Sequence, residues 1–161
     1  MNFLLNSLEH EHATTAKVLD RVPDSGAEYT PDPKSMTAGN LAWHIASAEL
    51  FFMTGIADGE FPKGGDRPES VKTPKDVAQW YRQAFPQALE KLKALSGEDL
   101  VRVIDFHGIF KMPALVYTNL MINHTIHHRG QLSAYLRPMG VGVPSIYGGS
   151  ADEPISTPAS A

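Results

Sequence analysis

The sequence predicts an all-α protein, a single four-helix bundle, and three observations predict it. Four long stretches place apolar residues mostly three and four apart, the spacing of a helix with one buried face. The links between them are long and rich in proline, glycine and charge, which interrupt helices. The chain has 161 residues, 42% hydrophobic and 20% charged, the balance of one globular domain. A chain of that length buries roughly 70% of its unfolded surface and needs no covalent staple.

The first helix is predicted in NFLLNSLEHEHATTAKVLDRV, where Phe3, Leu4, Leu8, His12, Leu19 and Val22 gather near one face. PDSGAEYTPDPK follows, with three prolines and a glycine in twelve residues, and reads as a loop. A second helix opens near Ser35 or Thr37, either of which can cap free N–H groups, and runs to Gly59. Leu41, His44, Ile45, Ala48, Leu50, Phe51 and Phe52 give it a wide apolar face, with Gly55 expected to weaken its last turn. GEFPKGGDRPESVK is a second loop. The third helix starts at TPKDV: Thr73 caps, Pro74 suits the first helical position, and Asp76 completes a capping-box pattern. Val77, Trp80, Tyr81, Ala84, Leu89, Leu92 and Leu95 form its buried face, Pro86 is expected to bend it, and Ser96-Gly97 to end it. VRVIDFHGIF, residues 101–110, is β-branched and aromatic and reads as a short strand or an extended crossover. Pro113 opens a fourth helix reaching about Arg137, stopped by Pro138 and Gly140. The domain is drawn at 1–148. Residues 149–161, small, polar and proline-containing, are expected to form a flexible tail.

Composition excludes several functions. The formal net charge of −4 argues against binding a nucleic acid through its phosphates. No cysteine is present, so any metal must be held by nitrogen or oxygen. The start, MNFLLNSLEHEH, lacks the basic region and apolar core of a signal peptide, and no apolar run approaches the ~18 residues of a membrane span. The expectation is a cytoplasmic protein with neither a nucleic-acid nor a membrane partner.

The chemistry concentrates in NHTIHHRGQL, residues 123–132, which holds His124, His127 and His128 of only seven histidines in the chain. On a helix, positions i and i+4 lie about 40° apart around the axis and about 6 Å along it, so His124 and His128 can aim at one point. His124 and His127, at i and i+3, are a second possible pair, and spacing alone leaves the choice open. One helix supplies two ligands, and His44, mid-helix among apolar residues, is the candidate for the third. Bundles assemble metal sites from inward side chains on facing helices in this way. The bland alternatives are a solvated histidine face and a hydrogen-bonded core histidine at position 44. His12 could approach the site, and Asn40, one turn before His44, could support it. Glu49, about 140° round the helix from His44, is a poor ligand for the same ion. Arg129, about 100° from His128, points away from it, with a salt-bridge or packing role. Trp43, Phe51, Phe52, Trp80 and Tyr117 read as core. Imidazole donors suit zinc or nickel better than magnesium or calcium. Three protein ligands leave a position open for water or substrate.

LAWHIASAE around His44, NHTIHHRGQLSAYLR and the following PMGVGVPSIYG resemble the DinB family (DinB/YfiT-like metalloenzymes) over roughly residues 1–148. The resemblance implies an up-down-down-up bundle, often a homodimer, with a divalent metal on the helix-two histidine and the i, i+4 pair of helix four: His44, His124 and His128. His127 then becomes a neighbour. It further implies a small-molecule substrate, and characterised relatives in which the metal activates a low-molecular-weight thiol. The functional expectation is a metal-dependent transferase passing such a thiol to an electrophile. The alternatives are a hydrolase activating water on the metal, and a non-catalytic stress-response binding or metal-sensing protein.

Overall fold

The computed structural model describes residues 2–155; the side chains of residues 2 and 3, and with them the expected core contact of Phe3, lie outside the described residues. Helix α1 spans Asn2–Asp20, α2 Ala38–Asp58, α3 Pro74–Lys93, a short α4 Gly97–Val101, and α5 Ala114–Leu136, with strands β1 (Val103–Phe106) and β2 (Phe110–Pro113) between α4 and α5. Helix α1 packs on α3 and α5, and α2 packs on the same two, so α1 and α2 are diagonal in the bundle.

Side-chain contacts fix the helix directions. Lys91 near the end of α3 pairs with Asp58 at the end of α2 at 3.5 Å, so α2 and α3 run parallel. Asp20 at the end of α1 pairs with Arg82 midway along α3, and Glu9 pairs with Lys93, so α1 is antiparallel to α3. Phe61, just beyond α2, packs on Tyr117 near the start of α5, while His44 near the start of α2 meets residues further along α5. Helix α5 is therefore antiparallel to α2, and the bundle is up-down-down-up.

Each helix end has a local cause. Thr37, not Ser35, caps α2: its hydroxyl accepts from the Asn40 N–H at 3.3 Å. At Thr73 the capping box is complete, with Thr73 and Asp76 satisfying each other's backbone. Helix α3 continues through Pro86, which sits on its exposed face. Gly55 does not end α2; a Cβ there would lie 2.2 Å from the Phe61 ring, so the glycine lets the outgoing link fold back onto the helix. Gly59 then caps α2 with φ at 77°. Residues 101–110 resolve into the last residue of α4 and most of an antiparallel hairpin, Val103 facing Pro113 and Phe106 facing Phe110. His107 takes φ 51° in its turn, where the Gly108 N–H donates to the Asp105 carboxylate at 2.6 Å.

The core runs the length of the bundle through Leu19, Leu41, Ile45, Met53, Val77, Phe85, Met121 and Leu132. The predicted aromatic stripe divides. Phe52 and Tyr117 are buried; Trp43, Phe51 and Trp80 are half-buried and line an open groove of about 410 Å³ between α2 and α3. The tail drawn from residue 149 is tied down as far as it is described. Asp152 accepts from the Arg137 guanidinium at 3.0 and 3.1 Å, Glu153 pairs with Arg21, and the Ser150 hydroxyl donates to the Val143 carbonyl at 2.6 Å. Residues 156–161 lie outside the described residues.

Candidate metal centre

Helix α2 is seated by Leu41 and Ile45 and α5 by Met121, Thr125 and Leu132, all fully or almost fully buried. That seating turns His44 toward α5, and His124 and His128 toward α2, at the half-buried edge between the two helices. One nitrogen from each ring lies within 4.8 Å of the other two. Ring centroids are 4.9 Å apart for His44–His124, 4.6 Å for His44–His128 and 4.5 Å for His124–His128. Nε2 of His44 and Nε2 of His124 are 3.1 Å apart. Four-coordinate zinc with nitrogen ligands at 2.0–2.1 Å sets its nitrogens about 3.3 Å apart; the His44–His124 pair, at 3.1 Å, stands at that spacing, and the His128 nitrogen lies within 4.8 Å of both.

The electrostatics favour lone pairs over protons. Burial, with His128, His44 and His127 adding, pushes the His124 imidazole down to about 4. Burial and then His128 lower His44. Neutral rings this close can share one proton between two nitrogens, or all can face one cation. His124 Nδ1 is buried without a hydrogen-bond partner. His128 Nδ1 has one, the Gln131 side-chain oxygen at 3.0 Å.

The other sequence candidates fall elsewhere. His127 is exposed and stands edge-on to His128, with centroids 4.9 Å apart. His12 stacks on Phe85 at 3.7 Å between α1 and α3; burial, then Arg82, pushes it down to about 4. Asn40 is exposed and serves the α2 cap through its backbone. The groove between α2 and α3 is not lined by any of the three histidines.

Two features escape the sequence reading. One is Gln131, although its position three residues after His128 puts it on the same face of α5. The other is a buried polar cluster that draws on all four long helices. Arg129, 1% exposed, donates to the Glu11 carboxylate at 2.7 Å, to the Thr15 hydroxyl at 3.2 Å and to the Tyr147 hydroxyl. Glu49, equally buried, accepts from the Tyr81 hydroxyl. Burial raises the Glu49 carboxyl to about 7, opposed by the Tyr81 hydrogen bond and by Arg129. Position 49 follows Ile45 by four and precedes Met53 by four, so helical spacing already sets it on the core face. The salt-bridge role expected for Arg129 is present; its complete burial is not foreseeable from one helix.

Comparison with known proteins agrees with this architecture. A model of the DinB family matches residues 1–157. The chain is 29% identical over 154 residues to the uncharacterized protein YrdA of Bacillus subtilis (strain 168), covering 95% of this chain and 91% of YrdA. The crystal structure of a DinB-like protein from Bacillus cereus superposes with a TM-score of 0.78 at 31% identity, over 91% of this chain and 97% of that one. The mycothiol-dependent maleylpyruvate isomerase superposes with a TM-score of 0.56 at 13% identity, over 89% of this chain and 64% of that one, a likeness of fold.

Proposed function

This chain belongs to the DinB family, and from that premise we propose that it is a metal-dependent enzyme that transfers a low-molecular-weight thiol to an electrophile. The observation that carries the reading is the convergence of His44, His124 and His128, whose donor atoms lie within 4.8 Å of one another on two different helices. A donor set of three imidazoles, with no thiolate available in the chain, suits zinc or nickel and leaves a coordination position free. When bound, such an ion lowers the pKa of a thiol or water in that position, so that the nucleophile is ionised near neutral pH.

The chain's own residues supply the rest. The burial that lowers His44 and His124 keeps their lone pairs free of protons at neutral pH. Helices α2 and α5, locked by their core residues, hold the rings in place before anything binds, which limits the ordering cost of binding. The half-buried position of the three rings leaves them open to a small molecule at the α2–α5 edge. The fold likeness to a mycothiol-dependent isomerase supports a thiol over water as the nucleophile.

Assays of a panel of small thiols against a panel of electrophiles, with and without chelator, test the reading. The expected result is conjugation that needs both thiol and metal and is lost in His44→Ala. Metal-dependent turnover without any thiol would favour hydrolysis instead. No metal-dependent turnover with any combination would contradict the enzyme reading.

A further inference from the structure

The hydrogen bond on His128 is the first of a series. The Gln131 side-chain nitrogen donates to the Tyr135 hydroxyl at 3.2 Å. Tyr135, 4% exposed, is braced edge-on by Tyr29, ring centroids 5.7 Å apart. Tyr29 belongs to the link between α1 and α2, where its carbonyl accepts from the Ala38 N–H that opens α2. A continuous run of side chains thus connects that link to one ring of the three. His124, the other α5 ring, has no such support at its buried Nδ1.

We infer that Gln131 is a positioning residue that sets the tautomer of His128, and so decides which ring nitrogen is left to bind a cation. The inference rests on the metal-binding role proposed above. A neutral imidazole carries one N–H and one lone pair. A carboxamide oxygen only accepts, so facing Nδ1 it draws the ring proton there and leaves Nε2 with its lone pair. An amide turned the other way would present an N–H to Nδ1, drive the proton to Nε2 and close that nitrogen to metal. In this structure the oxygen faces the ring. The far end of the amide meets the Tyr135 hydroxyl, which packing against Tyr29 holds in place, so the carboxamide is kept against the His128 ring. Partners of this kind orient a ligating ring and raise its basicity, and losing one typically weakens metal binding 10–100-fold.

Nitrogen-15 NMR of the histidines in the metal-free protein reads the tautomer directly, and competition with a chelating dye reads zinc affinity. His128 is expected to carry its proton on Nδ1 in the wild type and in Gln131→Glu, because a carboxylate can only accept. Gln131→Met should give mixed tautomers and zinc binding weaker by about 10–100-fold, whereas Gln131→Glu binds zinc at least as tightly as wild type. The His12 resonances, shifted by the Phe85 ring stacked on it, report that each variant is folded. Finding Nε2–H on His128 in the metal-free wild type, or equal zinc affinity in wild type and Gln131→Met, would overturn the inference. A wild type that takes up no zinc would refute the proposed function, and the tautomer would still decide the role of Gln131.

Discussion

Two polar clusters share helices α2 and α5, and they are opposites in kind. His44 and Glu49 are five residues apart on α2; His128 and Arg129 are adjacent on α5. At the edge of the bundle, three half-buried imidazoles repeat one chemistry, and burial and the neighbouring rings hold His44 and His124 below the usual imidazole range. In the core, Glu11, Thr15, Arg129, Glu49 and Tyr81 combine unlike groups, and the exposed Tyr147 closes over them, so that the guanidinium donors meet a carboxylate and two hydroxyls. The core cluster is complete without a ligand. The edge cluster turns one nitrogen of each ring toward the others, an arrangement that a cation can satisfy with all three at once. A buried set of complementary charges therefore reads as structure, and a convergent set of identical bases as a binding site.

Removing one partner from the core cluster should have the largest effect. Arg129→Met leaves the Glu11 carboxylate buried without its cation, and is expected to destabilise the protein by about 3–5 kcal/mol. Urea unfolding in the presence of chelator measures this, and a loss below about 1 kcal/mol would mean the cluster is not the brace described here.

The next effect is a pH dependence. The Glu49 carboxyl titrates near 4.5 in the unfolded chain and about 7 in the fold, facing Tyr81, Arg129 and Glu11. Between those values the native state holds a proton the unfolded chain has lost, so stability falls as pH rises through this window. The rise from 4.5 to about 7 corresponds to about 3 kcal/mol, since each tenfold in proton affinity is about 1.4 kcal/mol. His12 contributes the opposite sign. Its folded value of about 4 lies below the usual 6.5, so its share of stability is lost as pH falls through that range. Comparing wild type with Glu49→Gln at pH 5 and pH 8 isolates the carboxyl: the difference between them should shift by about 2.5 kcal/mol against the wild type at the higher pH, part of the linkage being already lost at pH 5.

The edge cluster should behave in reverse. In chelator, His44→Ala, His124→Ala and His128→Ala are expected to change unfolding free energy by no more than about 1 kcal/mol, because each ring is only half-buried. With zinc at a hundred times its dissociation constant, the wild type should gain about 2.7 kcal/mol, and the three variants nothing. His127→Ala should match the wild type in both conditions.

How much of this was legible in the sequence depends on whether the cause is local. The capping box at Thr73 and Asp76, the i, i+4 spacing of His124 and His128, and the start of α5 at Pro113 are properties of one turn of chain, and each is where the sequence sets it. Placing His44 opposite them needed two helices, and its lone position among apolar neighbours carried that signal. The hairpin at 103–113 is only half legible: its turn takes positive φ at both His107 and Gly108, and only the glycine signals one. Glu11 and Arg129 are 118 positions apart, and their pairing follows from how α1 and α5 lie together. Gln131 could be placed on the face of His128 by spacing, but the Tyr135 and Tyr29 side chains that hold it there are supplied by the fold.

The central claim is that imidazoles from two helices hold a single cation, and stoichiometry tests it most directly. Tag-free protein purified without added chelator and analysed for metal content should carry up to one transition-metal ion per chain. His44→Ala on α2 and His128→Ala on α5 should each abolish that content, and His127→Ala should retain it. Retention of metal in His44→Ala, or loss in His127→Ala with none in His128→Ala, would contradict the site described here.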